Sequence, residues 1–279
     1  MERELEKIAL ATKHQKEKLL APIFQEKLGW LVQTATVDTD LFGTFSGDVP
    51  REKSPKETAI AKAKAGALNL GLSKGLASEG SIGPHPQIPF ITADLEWVAY
   101  VDLEQNIELA EYFISTEIVA VQKIWNHELD LAKLIAEANL PNHALIAKAN
   151  HQGKFWSAKS LTNLAELNAA IASFQELAWP VDLILESDYR AMHSPSRQKN
   201  IAQAANKLAE RLATNCPACS GLGFGLVGHE FGLPCSGCSE LATEAISADR
   251  FGCLFCSEVQ VVSRGITSID PANCQICNP

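Results

Sequence analysis

The chain has 279 residues, 46% apolar and 20% charged, and a formal net charge of −9. That length suits about two domains, and the composition excludes wholesale disorder. The negative balance argues against a general nucleic-acid binder, which needs a basic face. The charge is uneven: residues 1–64 carry eleven Lys/Arg against ten Asp/Glu, whereas Asp94 to Glu137 holds ten acids against two lysines. A polyanionic ligand would have to use the first part, and the acids of 94–137 read as a solvated face. No run approaches the ~18 apolar residues of a membrane span. The apolar stretch Ile8 to Ala11 is shorter than the ~7–15 residues of a signal-peptide core. The expectation is a cytoplasmic protein that does not engage membranes.

In chain order, residues 7–12 read as a short buried strand, followed by the polar break 13–18. Leu19, Leu20, Ile23, Phe24 and Leu28 recur at helical spacing, and Gly29 fits a C-terminal stop. Leu31 to Val37 reads as a strand and Asp38 to Pro50 as a loop. Ser54-Pro55-Lys56-Glu57 is a helix start, with Ser as N-cap, Pro in the first position and Glu in the third. That helix runs to about Leu70, with Gly71 as stop. Leu76-Ala77 leads into a glycine-rich segment, Ser78 to Pro89, read as a loop.

Further on, 96–101 and 107–115 pair as a hairpin, 129–139 is a helix, 143–149 a strand, 161–174 an amphipathic helix and 181–185 a strand. A long helix covers about 196–213. Alternating strands and helices imply an α/β fold with a mixed central sheet flanked by helices. Composition changes near Thr214, so the expected domains are 1–212 and a cysteine-rich module, 213–279.

All eight cysteines fall in that module, as four Cys-x-x-Cys pairs: Cys216/Cys219, Cys235/Cys238, Cys253/Cys256 and Cys274/Cys277. Two such pairs close a four-thiolate site for one tetrahedral ion, so eight cysteines imply two structural zinc ions in a zinc-ribbon-like fold. Sequential and cross-braced pairing are equally compatible with the spacing. An iron–sulfur cluster, a redox dithiol or a thiol redox sensor are the alternatives. Cys216-Pro217-Ala218-Cys219-Ser220-Gly221-Leu222-Gly223 resembles one repeat of the zinc-binding cysteine-rich domain of J-domain chaperones, but the other pairs lack the trailing Gly-x-Gly. Residues 213–279 carry two Arg, no Lys and six acids, which disfavours nucleic acid here.

In the first domain, lysines near helix starts suit phosphate. Carboxylates beside them make sense if a divalent cation bridges acid and phosphate. Ser54 to Ala65, followed by Gly71-Leu72 and Leu76-Ala77-Ser78-Glu79-Gly80-Ser81-Ile82-Gly83, resembles the inosine triphosphate pyrophosphatase-like (Maf-like) superfamily. Ala11-Thr12-Lys13-His14 is similar to that family's opening, and Ser196-Arg197 to its Ser-His-Arg segment. There are departures: His14, Thr58 and Glu79 stand where the family has Asn, Asn and Asp, and Glu17 stands where it has a lysine. The resemblance implies a magnesium-dependent nucleoside triphosphate pyrophosphatase. Glu57, Glu79 and Lys16 would then be catalytic, and Thr12, Lys13, His14, Lys62, His85, Arg190 and Arg197 would bind substrate. Gly43 to Asp48, Ser78 to Pro86 and 188–191 also resemble a bacterial domain family of unknown function.

Each residue has a plainer reading: Glu57 as a capping group, Glu79 as a loop acid, Lys13 and Lys16 as a wet helix start, His85 as a surface turn. Arg190 and Arg197 are equally compatible with helix capping. The alternative to an enzyme is a non-catalytic nucleotide- or anion-binding protein whose zinc module docks a protein partner.

Overall fold

The computed structural model describes residues 5–13, 15–43, 52–151, 154–176 and 182–279. The chain divides into two compact units, Met1–Leu208 and Ala209–Pro279.

The first unit opens with β1 (Lys7–Ala11), α1 (Glu17–Leu28) and β2 (Leu31–Ala35), with Gly29 in the left-handed conformation that ends α1. Helix α2 (Pro55–Leu70) starts on a reciprocal capping box between Ser54 and Glu57 and stops at left-handed Gly71. Then come β3 (Lys74–Pro84), β4 (Thr92–Asp102) and β5 (Ile107–Ser115). These strands form a mixed sheet in the order β2-β1-β3-β4-β5: β1 runs parallel to β2 and β3, and the rest is antiparallel.

The expected glycine-rich loop beginning at Ser78 is therefore mostly strand. Its small residues serve close packing. A Cβ on Gly80 would collide with Arg197 and Glu96, and one on Gly75, ahead of that segment in the same strand, with the Ala63 backbone of α2. Glycine composition alone does not tell a turn from a strand that neighbours approach closely.

The chain continues with β6 (Gln122–Ile124), α3 (Leu131–Glu137), β7 (Leu145–His151), β8 (Lys154–Leu161), α4 (Leu164–Gln175) and β9 (Ile184–Ser187). These strands form a second, wholly antiparallel sheet in the order β6-β9-β7-β8. The sequence expectation of one mixed central sheet is corrected to two. Residues 154–160, for which the sequence predicts no element, and Leu161, expected to open a helix, are strand, because the segment hairpins back on β7. The second sheet has its own apolar core, built on Leu145, Leu167, Ile171, Phe174 and Leu185 together with Leu134.

Helix α5 (Pro195–Ala213) follows. Within the first unit, alternation along the strands sends Gly75, Ala77 and Glu79 toward α2. The opposite face of the same sheet carries Trp30 stacked on Tyr100 and on Phe24 of α1. Asp94 and Glu96, on that face, meet side chains of α5. No helix among the described residues is long and apolar enough to cross a membrane.

The second unit is a three-stranded antiparallel sheet, β10 (Gly225–Pro234), β11 (Leu241–Gly252) and β12 (Val259–Ser263), in that order.

Candidate functional site

Strand β1 stops at Ala11, level with Ala77 of β3, but β3 runs on to Pro84. Beyond that level, among the described residues, β3 pairs with β4 alone, which leaves its other edge open at the C-terminal end of the parallel strands, where α/β sheets place their ligands. The side chains gathered here are charged and buried. Lys16, from the start of α1, turns its ammonium to the Ser78 hydroxyl at 3.1 Å and the Ser78 carbonyl at 3.5 Å. Lys62 of α2 pairs with Glu79 at 2.5 Å, both almost wholly buried. On the other face Arg197, 0% exposed, pairs with Glu96 at 2.5 Å, lies 3.9 Å from Asp94 and donates to the Tyr189 carbonyl. Asn200, one turn along α5, donates to Asp94 at 2.8 Å.

Three cations and three acids thus come together from α1, α2, β3, β4 and α5. Burial, reinforced by the Arg197 charge, holds the Lys16 ammonium down to about 8. Burial also pushes Glu96 up to about 7, against the pull of Arg197. One Asp94 oxygen and one Glu96 oxygen are buried without a hydrogen-bond partner.

Of the residues picked from sequence, Lys16, Lys62, Glu79 and Arg197 meet in this cluster. Asp94, Glu96, Ser78 and Asn200 were missed. Asp94 and Glu96 belong to the acid-rich segment expected to be a solvated face, and both are 0% exposed. Their spacing of two along β4, pointing to one face, was the available signal. The other picks lie elsewhere. Glu57 is exposed and its carboxylate accepts from the Ser54 amide and hydroxyl, which hold it below the usual carboxylate range. Thr12 bonds the Lys13 carbonyl, and Lys13 pairs with Asp38 at the surface. His85 accepts two backbone amides of its own turn, from Gln87 and Ile88. Arg190 grips buried Asp188 and donates to Ser160. His14 lies outside the described residues.

The acids do not fit the magnesium site that the resemblance implies. Glu79 is paired with Lys62, Glu96 with Arg197, and Glu57 with its own cap. Among the described residues, groups of three or more ligands able to reach one ion occur only at the cysteines.

Those cysteines form two sets, Cys216, Cys219, Cys253 and Cys256, and Cys235, Cys238, Cys274 and Cys277. The pairing is cross-braced, and the sheet enforces it. Gly225 opens β10 opposite Gly252, the last residue of β11, so the first and third pairs lie at one end of the hairpin. The second pair sits at the far end of β10, about 30 Å away for ten residues of strand. Strand β12 carries the chain back along β11, and a bridge from Ile269 to Cys235 brings the fourth pair to the second.

Closest sulfur–sulfur distances are 3.8 and 3.6 Å in one set and 3.8 and 3.7 Å in the other. A disulfide needs about 2.05 Å, whereas sulfurs around a tetrahedral zinc with Zn–S near 2.3 Å stand about 3.8 Å apart. All four sulfurs of each set lie within 4.8 Å of one another, which suits one central ion. Backbone amides of Gly221, Gly237 and Phe255 donate to Cys219, Cys235 and Cys253, stabilising thiolate. The amides of Cys277 and Ile276 draw the Cys274 thiol down to about 7. The two groups can each hold a structural metal ion, and four thiolates at this spacing are compatible with zinc.

The chain is thus an α/β protein with a two-site cysteine module. The model of a family described as a domain of unknown function (DUF6671) matches residues 62–279, and the chain belongs to that family. The matched span includes β3, β4, α5 and all eight cysteines. No curated protein and no solved structure matches the chain. Nothing in these comparisons supports membership of the inosine triphosphate pyrophosphatase-like superfamily.

Proposed function

We propose that the α/β unit binds a phosphate-bearing small molecule, a nucleotide in the first instance, at the open edge of β3 and hydrolyses it. The observation that carries this reading is the buried cluster of Lys16, Lys62, Arg197, Glu79, Asp94 and Glu96. Burying six ionisable groups opposes folding unless each is well paired, and such clusters gather where chemistry needs perturbed groups. Lys16, near 8, and Glu96, near 7, both exchange protons close to neutrality, as a general acid and base must. In this reading Lys16, bonded to Ser78 just past the level where β1 stops, faces the phosphate, and Lys62 and Arg197 are fixed positive charge behind it as negative charge develops.

The test is release of phosphate or pyrophosphate over a nucleotide panel, with and without added magnesium. Wild type is expected to turn over at least one nucleotide. Lys16→Met is expected to lose about 100-fold or more while keeping its melting temperature. Calorimetric binding without turnover would leave the non-catalytic binding protein; neither binding nor turnover overturns the reading.

A further inference from the structure

A second polar array lies apart from the charged cluster. Ser196 sits in the first turn of α5, and its hydroxyl lies 3.1 Å from Nε2 of His143. His143 follows α3 and is 5% exposed. Its other ring nitrogen, Nδ1, stands 3.3 Å from the carboxamide of Asn139, which is held in the left-handed conformation just past the end of α3. Hydrogen-bond roles follow from the donors. The Ser196 backbone N–H points at the same Nε2 at 3.5 Å, and an amide can only donate, so Nε2 is the acceptor and Nδ1 carries the hydrogen. With Nδ1 protonated, the Asn139 carboxamide turns its oxygen to Nδ1 and its NH2 to Asn142, whose exposed carboxamide turns with it so that its oxygen accepts. The Ser196 oxygen accepts from the Val119 amide at 3.4 Å and lies 3.4 Å from the Ser194 hydroxyl; with Ser194 as the donor of that pair, the Ser196 proton is left for Nε2. Burial lowers the His143 pKa, so the ring is neutral and able to take a proton.

Ser196 also lines a cleft of about 610 Å³ with His85, Ser115, Thr116, Lys199 and Gln203. A cavity of that size suits a small ligand, and its hydroxyl, amide and charged lining suits a polar one. The amide dipoles of α5 point their positive end at this position.

We propose that Ser196, His143 and Asn139 form a nucleophilic centre that cleaves small polar carboxylic esters bound in this cleft. The Ser196 oxygen attacks the acyl carbon as its proton passes to His143 Nε2. The carbon–oxygen bond to the alcohol breaks, and His143 returns the proton to the departing alkoxide. Water then attacks the acyl-serine, losing its proton to His143. The acid is released as that proton returns to Ser196. Asn139 is a positioning residue that holds the tautomer.

This centre is independent of the nucleotide reading, and its test uses different substrates. The full-length protein is treated with a fluorophosphonate probe and mapped by mass spectrometry, then assayed on short-chain 4-nitrophenyl esters. Expected are phosphonylation of Ser196, a nitrophenol burst of one equivalent per chain, and loss of both in Ser196→Ala. His143→Gln is expected to slow labelling by about 100-fold or more, with an unchanged melting temperature. Wild-type protein that takes no label on Ser196 and turns over no ester overturns the proposal whether or not the variants fold. So does ester turnover that survives in Ser196→Ala.

Discussion

The two units hold themselves together by different means. In the α/β unit, strands and helices each turn a sealed face inward: Ile8, Leu10, Leu20, Leu76, Leu145, Leu167 and Leu208 are all fully buried. In the cysteine unit the buried side chains are few, and Cys216, Cys235 and Cys274 are among them. All of β12 is exposed. The first unit buries enough apolar surface to carry six charged groups inside it. The second has a smaller core, and its two cysteine groups, at both ends of a hairpin, are placed to supplement it by holding metal ions. Charge is a passenger in one region and the fastening in the other.

The sharpest test of that contrast is metal removal. The protein is expected to carry two zinc ions per chain, and a strong chelator should abolish hydrogen-exchange protection in 214–279 while the α/β unit keeps its own. Cross-bracing sharpens it further. Cys219→Ser with Cys253→Ser is expected to lose one ion, because both serve one site, and Cys219→Ser with Cys235→Ser to lose two. Elemental analysis of the purified variants decides it, and equal losses would contradict the pairing.

Within the α/β unit the largest effect should come from Arg197→Met. It leaves Glu96 and Asp94 buried without their cation, and breaking such a pair typically destabilises by about 3–5 kcal/mol. Chemical denaturation at neutral pH measures it. A smaller effect concerns pH. Glu96 moves from an ordinary value of 4.5 to about 7 in the fold, so between those values the folded chain binds a proton that the unfolded chain has released. Stability contributed by this group is therefore present below about 4.5 and lost as pH rises toward 7. Glu96→Gln should flatten the dependence of melting temperature on pH across that window. Smallest of all is Ser54→Ala. It removes a helix cap at the surface, at about 1 kcal/mol, and should leave nucleotide turnover unchanged if Glu57 only caps.

Local signals carried much of the fold. Gly29, Ser54 and Gly71 announced helix ends because caps are short-range chemistry written in consecutive residues. The hairpin of β4 and β5 and the four Cys-x-x-Cys pairs were legible for the same reason. Sheet membership was not. Nothing local marks residues 154–160 as a strand that returns along β7. Nothing local tells Gly80 that its smallness admits Arg197 and Glu96 instead of making a turn. At the charged cluster, Lys16, Lys62, Glu79 and Arg197 came from a motif likeness. Asp94 and Glu96 escaped because an acid in an acid-rich segment looks solvated until its cation, about a hundred residues on in the chain, is known. The pairing of cysteines was undecidable from spacing, since it depends on the length and direction of β10.

The crossed pairing also sets the order of events during synthesis. Cysteines 216, 219, 235 and 238 leave the ribosome first, and together they make a complete four-thiolate set with the wrong partners. An ion captured at that stage joins segments that the finished hairpin holds at opposite ends. Neither native site is complete until residue 256 has emerged, and the second waits for residue 277. An ion taken early by those four cysteines would therefore have to be surrendered, thiolate by thiolate, as β10 and β11 pair and set the two early pairs at opposite ends of the hairpin.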